Sequence, residues 1–362
     1  MCWKLRLGAL KSVKILVLLA CITGTATIAE TASERSKNFR LNRVQTIFLY
    51  KFTKFLNSEK AIPIKENISQ IYRKNFSKIH SDPLNLAFLL YKENELKISE
   101  VKQEAKNKPL FMYSVSKTFV GMEALITSCE KNISLDEKLG KVSRLENTVY
   151  EDVTLRNALK MQSGVDASFD MVGEFNLIFE GQETPDSIRN KKMKPARNQG
   201  VKFYYNGNDT DALMAFIESS TGEKWSQRFD RHFVKPAGVE SEVFWLNNVT
   251  GQALGRVGLM ATPEDIIRLS LNYIDILDRN VCVRNLFEQM LINDKSGGRY
   301  GFQVWLPPNH SSNGKKFDRF QMMGFGGQRV YVERSTRTIG LVYSLGDKYL
   351  SDVSRTFWGN LK

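Results

Sequence analysis

Ser114 and Lys117 stand three positions apart in the stretch Phe111-Met112-Tyr113-Ser114-Val115-Ser116-Lys117-Thr118-Phe119. A serine hydroxyl is a weak nucleophile near neutral pH, but a desolvated lysine amine can take its proton as it attacks a carbonyl carbon. Residues three apart on a helix share a face, so this spacing lets the amine reach the hydroxyl. The same spacing recurs at Ser99/Lys102, Ser128/Lys131 and Ser312/Lys315. Setting separates them. Ser99 ends a polar strand pattern, Ser128 falls in the last turn of an apolar helical pattern, and Ser312 lies in a loop. Ser114 instead follows an apolar strand-and-loop region ending at Pro109 and opens a helical pattern carried by Phe119, Val120, Ala124 and Leu125. A serine at that place equally suits a helix cap.

Other chemistries find less support. His80, His232 and His310 are isolated, with no partners at metal-ligand spacing, so neither a metal nor a histidine-based triad is expected. Cys2 and Cys21 precede the main chain body, leaving Cys129 and Cys282 in apolar helical patterns, where they either pack as small hydrophobes or pair.

The elements that must position Ser114 are legible in outline. Leu84 to Tyr91 reads as a buried strand, Glu93-Asn94 as a turn and Glu95 to Glu100 as the returning strand. From Ser114 to about Asn280 the signals are mostly helical. Strands return at Tyr300 to Trp305, Arg329 to Val332 and Thr338 to Tyr343, before a final helix near Leu350 to Trp358. Strands at both ends with helices between predict an α+β fold: one antiparallel sheet built from both termini, flanked by helices, around an inserted, mainly helical region at about 113–290.

At the N-terminus, Lys4, Arg6, Lys11 and Lys14 precede an apolar run from Ile15 to Ile22, too short to span a bilayer, which is the layout of a secretory signal. Two processing sites compete: a small-residue site at Thr27-Ile28-Ala29, and a lipobox-like Leu18-Leu19-Ala20-Cys21 that would leave residues 1–20 as a lipoprotein signal. The expected product is exported to the bacterial periplasm, and a lipidated Cys21 would tether it to a membrane. Residues 30–80 form a polar, lysine-rich extension with a helical pattern at Val44, Ile47, Phe48, Phe52 and Phe55, and residues 81–362 form the main domain. The net charge is +13, and 13 − 4 leaves +9 after removal of the leader's four cations. These charges are dispersed, which points to a solvated surface and away from a nucleic-acid partner. No feature specifies an oligomeric state.

Several boxes in order give Ser114 a sharper context. Tyr113 to Phe119, then Leu155-Arg156-Asn157-Ala158-Leu159-Lys160-Met161-Gln162-Ser163-Gly164, resemble the first box and the downstream helix of the serine β-lactamase-like family. Phe203-Tyr204-Tyr205-Asn206-Gly207-Asn208-Asp209-Thr210, the Gly255–Leu269 segment with Thr262-Pro263-Glu264-Asp265, and Gly324-Phe325-Gly326-Gly327-Gln328 resemble later boxes of the same family. Order and spacing hold from about residue 84 to 345. The resemblance is nearest to the branch with class C β-lactamases, esterases and 6-aminohexanoate-dimer hydrolases, and it implies a β-lactamase/transpeptidase-like fold.

The resemblance further implies an acyl-enzyme on Ser114, with Lys117 and a tyrosine moving protons and no cofactor. A Tyr-x-Asn reading would select Tyr204, but alignment on the following Gly-x-Asp-Thr pattern places the family tyrosine at Tyr205. The oxyanion hole would be the backbone N–H groups of Ser114 and Gln328, and Tyr204, Asn206, Phe325, Gly326 and Gly327 would contact substrate. Where relatives carry Lys or His before a small residue and Gly, this chain carries Phe325, so a β-lactam carboxylate would lack a cationic or hydroxyl partner there. A literal Lys295-Ser296-Gly297 lies in a polar turn and reads as a decoy. The expected substrate is a small-molecule or short-peptide ester or amide, cleaved in a cleft walled by the Asp166–Gly200 loop. The alternatives are a β-lactamase or D-amino-acid peptidase, and a catalytically inactive binder on the same fold.

Overall fold

Glu93 and Asn94 both adopt left-handed backbone conformations, with φ of 56° and 62°, and so close the hairpin predicted at this point. It joins β2 (Asn85–Lys92) to β3 (Glu95–Val101) in a computed structural model. That structure describes the main chain of 36–40, then residues 84–165, 198–247 and 251–345, and finally 354 and 357–359. The leader, the helical pattern at 44–55, most of the Asp166–Gly200 loop and most of the final helix lie outside the described residues.

The main sheet has seven strands in the order β3-β2-β11-β10-β9-β8-β7. Its later members are β7 (Tyr300–Gly301), β8 (Val304–Trp305), β9 (Arg319–Met323), β10 (Arg329–Glu333) and β11 (Thr338–Ser344). All pairings are antiparallel, and β11 inserts between β2 and β10, with Leu89 opposite Leu341 and Val330 opposite Leu341. Every residue of β11 is buried, as expected for a central strand covered on both faces. One face packs on the helices. The other carries Phe88, Leu90, Ile98, Tyr331 and Val342 under Phe357, whose ring stacks on Tyr331 at 4.2 Å.

The helices are α1 (Ser116–Lys131), α2 (Leu139–Val142), α3 (Leu155–Leu159), α4 (Gly207–Thr221), α5 (Trp225–Phe229), α6 (Lys235–Ala237), α7 (Pro263–Arg279) and α8 (Val281–Phe287). Residues Ser116 to Ser128 of α1 are all buried, so this helix forms the centre of the core, with α4 against it. The helix α7 starts where Thr262 Oγ accepts from Asp265 N and Pro263 occupies the first turn, which explains the Thr-Pro-Glu-Asp box as a cap. A disulfide joins Cys129 of α1 to Cys282 of α8, with Cα atoms 6.1 Å apart across 153 positions of sequence.

The mainly helical segment between Ser114 and Asn280 also holds two strands, β5 (Val243–Asn247) and β6 (Leu259–Ala261), which join β4 (Leu110–Phe111) and β1 (Ser36–Arg40) in a second sheet of order β1-β5-β6-β4. The β1–β5 pairing is parallel. The two-residue β4 and three-residue β6 carry no periodic signal. The run Tyr300 to Trp305 is also not one strand, because Phe302 and Gln303 turn back with φ of 47° and 67°. Tertiary bonds support that strained turn. Gln303 N donates to Leu159 O, its amide donates to Ala158 O and Leu159 O, and it accepts from Thr118 and Thr210.

Candidate active site

Ser114 sits on a single 3₁₀ turn, Tyr113–Val115, that leads from β4 into α1. Tyr113 has φ of 48°, a left-handed conformation unfavourable for a bulky residue. Its ring is buried against Phe111 at 4.2 Å and meets Phe325 edge-on at 5.8 Å. Ser116 holds the turn shut: its hydroxyl donates to Tyr113 O (2.6 Å) and accepts from Gly258 N (2.9 Å) and Leu259 N (3.0 Å). Of the two serines in the motif, Ser116 is therefore fully engaged in structure, and half-buried Ser114 is the one left facing the lysine.

Lys117 is only 4% exposed. Its Nζ donates to Ser114 Oγ at 2.9 Å and to the carbonyl oxygen of Arg256 at 2.7 Å, and it lies 5.2 Å from the centre of the Tyr205 ring. Tyr205 is half-buried, stacks on Trp305 at 5.5 Å and meets Tyr300 edge-on at 5.9 Å. Tyr204 is 39% exposed, and its N–H donates to Met161 O. The structure thus brings Ser114, Lys117 and Tyr205 together and turns Tyr204 outward. Met161, itself left-handed at φ 57°, receives Asn206 N on its sulfur at 3.0 Å. The Met161-Gln162-Ser163-Gly164 box therefore docks the segment that carries Tyr205 into α4.

Asn206, expected to contact substrate, is held in structure instead of facing open space. It is 1% exposed, its side-chain oxygen caps α4 by accepting from Asn208 N, and its amide donates to Val165 O.

The closing box runs between β9 and β10. Gly326 and Gly327 have φ of 81° and 102°, so the turn itself demands glycine at both positions. Gly324 faces the chain just before Ser114, and half-buried Phe325 leans on Tyr113. Gln328 is buried, and its side-chain amide donates to Ser344 O. Arg329 Nη1 donates to the carbonyls of Gly324 and Gln328, both at 2.6 Å. Neither the Ser114 nor the Gln328 backbone N–H meets an acceptor among the described residues, as two donors reserved for an oxyanion would require.

Behind the tyrosine lies a buried polar group that the sequence reading missed. Asp209 Oδ1 accepts from Tyr150 Oη (2.8 Å) and Ser163 Oγ (2.5 Å), while its other oxygen is buried with no hydrogen-bond partner among the described residues. Burial pushes this carboxyl up to about 7, against the two hydroxyl donors and Arg256, which favour the ionised form. Burial also pushes the Tyr300 phenol well above its ordinary value, reinforced by Tyr205 and Asp209. Arg256 and Trp305 were missed too, because their contacts depend on segments far away in sequence.

The other candidates lie apart. Ser99 is in β3, Ser128 near the end of α1, and Ser312 bridges to Lys315 in a loop. Ser296 staples its own turn, donating to Asp294 and accepting from Arg299 N and Tyr300 N. His232 contacts Glu123 and Glu130 on α1, and His310 stacks on Phe317.

The family model described as Beta-lactamase matches residues 103–301. No curated protein matches the chain. Among solved structures, a Bacillus anthracis protein assigned as a 6-aminohexanoate-dimer hydrolase superposes with a TM-score of 0.64 at 18% identity, over 83% of this chain and 88% of that one. A D-stereospecific amidohydrolase from Streptomyces sp. gives 0.62 at 14% identity, over 80% and 98%. A penicillin-binding protein from Bacillus halodurans gives 0.60 at 15% identity, over 80% and 99%. At these identities the likeness speaks for fold alone, while the family match spans more than half of the sequence. The chain belongs to the beta-lactamase family, a family of serine hydrolases of amide and ester bonds.

Proposed function

We propose that this protein hydrolyses an ester or amide through an acyl-enzyme on Ser114. The single observation that carries the reading is the 2.9 Å contact between Lys117 Nζ and Ser114 Oγ beside Tyr205. As Oγ attacks the carbonyl carbon, its proton passes to the Lys117 amine. The negative oxygen of the tetrahedral intermediate accepts from the N–H groups of Ser114 and Gln328, each donor contributing about 3 kcal/mol. Collapse breaks the scissile bond, and the departing alcohol or amine takes a proton relayed from Lys117 through the Tyr205 phenol. Water then attacks the acyl carbon, gives its proton back along the same route, and releases the acid and Ser114. No cofactor enters these steps.

Phe325 favours a substrate without a carboxylate at the position that a β-lactam would occupy. Export to the periplasm fits the basic, apolar leader, and the Cys129–Cys282 disulfide adds support, since such bonds persist in oxidising compartments. The test is fluorophosphonate labelling together with turnover of short p-nitrophenyl esters and linear amides, with Ser114→Ala as control and nitrocefin as the β-lactam arm. Labelling that disappears in Ser114→Ala supports the reading, and undiminished labelling overturns it. Failure on the whole panel would favour a binder, and nitrocefin turnover at ordinary enzyme rates would move the substrate to β-lactams.

A further inference from the structure

Lys117 is a long, flexible side chain, and a proton acceptor is useful only if its nitrogen stays against the hydroxyl. Its second anchor is the carbonyl oxygen of Arg256, 2.7 Å from Nζ. That carbonyl belongs to a segment fixed from several directions. Gly258 N and Leu259 N are tied to Ser116, and Leu254 O accepts from the Trp245 indole at 3.0 Å. The Arg256 side chain runs into the start of α4, where Nε donates to Asp211 Oδ2 at 2.9 Å and Nη2 reaches both Asp211 and Asn208 Oδ1. Arg256 is 2% and Asp211 3% exposed. A Cβ on Gly207 would lie 2.8 Å from Arg256 Cδ and Nε, so glycine there makes room for the guanidinium stem.

Stability alone is a poor reason for this arrangement. Burying an ion pair costs desolvation that well-packed apolar side chains of similar volume would avoid. A cation beside the first turns of a helix also faces the positive end of its dipole, which Asp211 and Asn208 must offset. What the planar fork adds is direction: bonds to two α4 residues fix where the Arg256 backbone lies. We propose that the buried Asp211–Arg256 pair is a positioning device for Lys117, holding the Arg256 carbonyl so that Nζ stays in contact with Ser114 Oγ. The Arg256 carbonyl meets only the Lys117 end of the Ser114–Lys117 contact, and the Asp211 and Arg256 side chains act through Lys117. The inference rests on the reading of Lys117 as the proton acceptor.

The double variant Asp211→Leu/Arg256→Met removes both charges at similar volume. Crystals of wild type and variant read the Nζ–Oγ separation without any need for turnover, and fluorophosphonate labelling reads its consequence. The expected results are loss of the 2.9 Å contact, a labelling rate constant lowered at least about tenfold with probe affinity little changed, and a displaced pH profile of labelling. A Cys129→Ala/Cys282→Ala protein, destabilised elsewhere, keeps the wild-type profile. A folded double variant with an unchanged separation and pH profile overturns the proposal. If the double variant does not fold, Arg256→Lys replaces it: the charge stays and the fork is lost, so labelling falls about threefold to tenfold, and full retention overturns the proposal. Wild-type protein that keeps the contact in crystals yet never labels would overturn the acyl-enzyme reading alone, leaving the positioning to be judged from the crystal separations.

Discussion

The Cβ that Gly324 lacks would lie 2.4 Å from the carbonyl oxygen of Met112, two residues before Ser114. Both partners are main chain, so neither can swing aside. The closing turn is thereby pressed against the segment that carries Ser114.

Gly324→Ala should therefore separate the two donors of the oxyanion hole as well as destabilise the fold by about 1–3 kcal/mol. Gly340 supplies the control, because its Cβ would meet the Phe357 ring on the far face of the sheet. Both variants should melt earlier, but only Gly324→Ala should label at least about tenfold more slowly at saturating probe. Equal labelling by the two, measured below both melting temperatures, would refute the link.

Tyr205 and Tyr204 are neighbours in sequence with opposite expected effects. Tyr205→Phe removes a phenol beside Lys117 and should lower turnover by about 10²–10⁴. Tyr204→Phe alters an exposed ring and should stay within about twofold of wild type. A reversed order in steady-state kinetics would transfer the proton-relay role to Tyr204.

The disulfide restrains a loop of 153 positions between α1 and α8. In the chain-entropy model a loop of that size contributes up to about 5 kcal/mol. Cys129→Ala/Cys282→Ala should accordingly lower the melting temperature by roughly 10 °C. Its labelling at 25 °C should match wild type, since neither sulfur approaches Ser114. A melting curve unmoved by thiol reductant in the wild type would show that the bond contributes nothing.

Asp209 makes stability depend on pH in a direction opposite to the usual carboxylate. Its carboxyl is raised to about 7 in the folded chain, whereas an unfolded aspartate titrates near about 4. Between those values the folded chain keeps a proton that the unfolded chain releases. This contribution is thus full below about pH 4 and is lost as pH rises through about 7. Asp209→Asn cannot titrate and still offers an oxygen to Tyr150 and Ser163. Relative to wild type it should gain roughly 3 kcal/mol between pH 5 and pH 8 in denaturant unfolding. A constant difference across that range would mean that Asp209 is ionised throughout.

How much of this was readable from the chain depended on whether a role is local. The Asn85–Val101 hairpin carries an apolar run and a turn in adjacent residues, and Ser114 with Lys117 lies within one helical turn, so both were legible. Tyr205 could be preferred to Tyr204 by spacing to the residues after it. The strands β4 to β6, the Phe302-Gln303 turn and the Arg256 carbonyl were not legible. Each owes its conformation to partners brought in from remote segments: Leu259 for Met112, Leu159 and Thr210 for Gln303, Asp211 for Arg256. The capping role of Asn206 was not legible either, because a buried cap and an exposed ligand have the same letter in a sequence.

The insertion of β11 between β2 and β10 also sets a schedule. Leu89 must wait for Leu341, so the first strand of the sheet stays unpaired on that side until the chain has been made as far as β11. The Ser114–Lys117 contact could form early, but the turn that faces it arrives only with Gly324. Folding dominated by such distant pairings is slow. An unfinished chain of this architecture would hold Ser114 against Lys117 without the Gly324–Gln328 turn that packs beside them, and so would be assembled on one side of the site before the other exists.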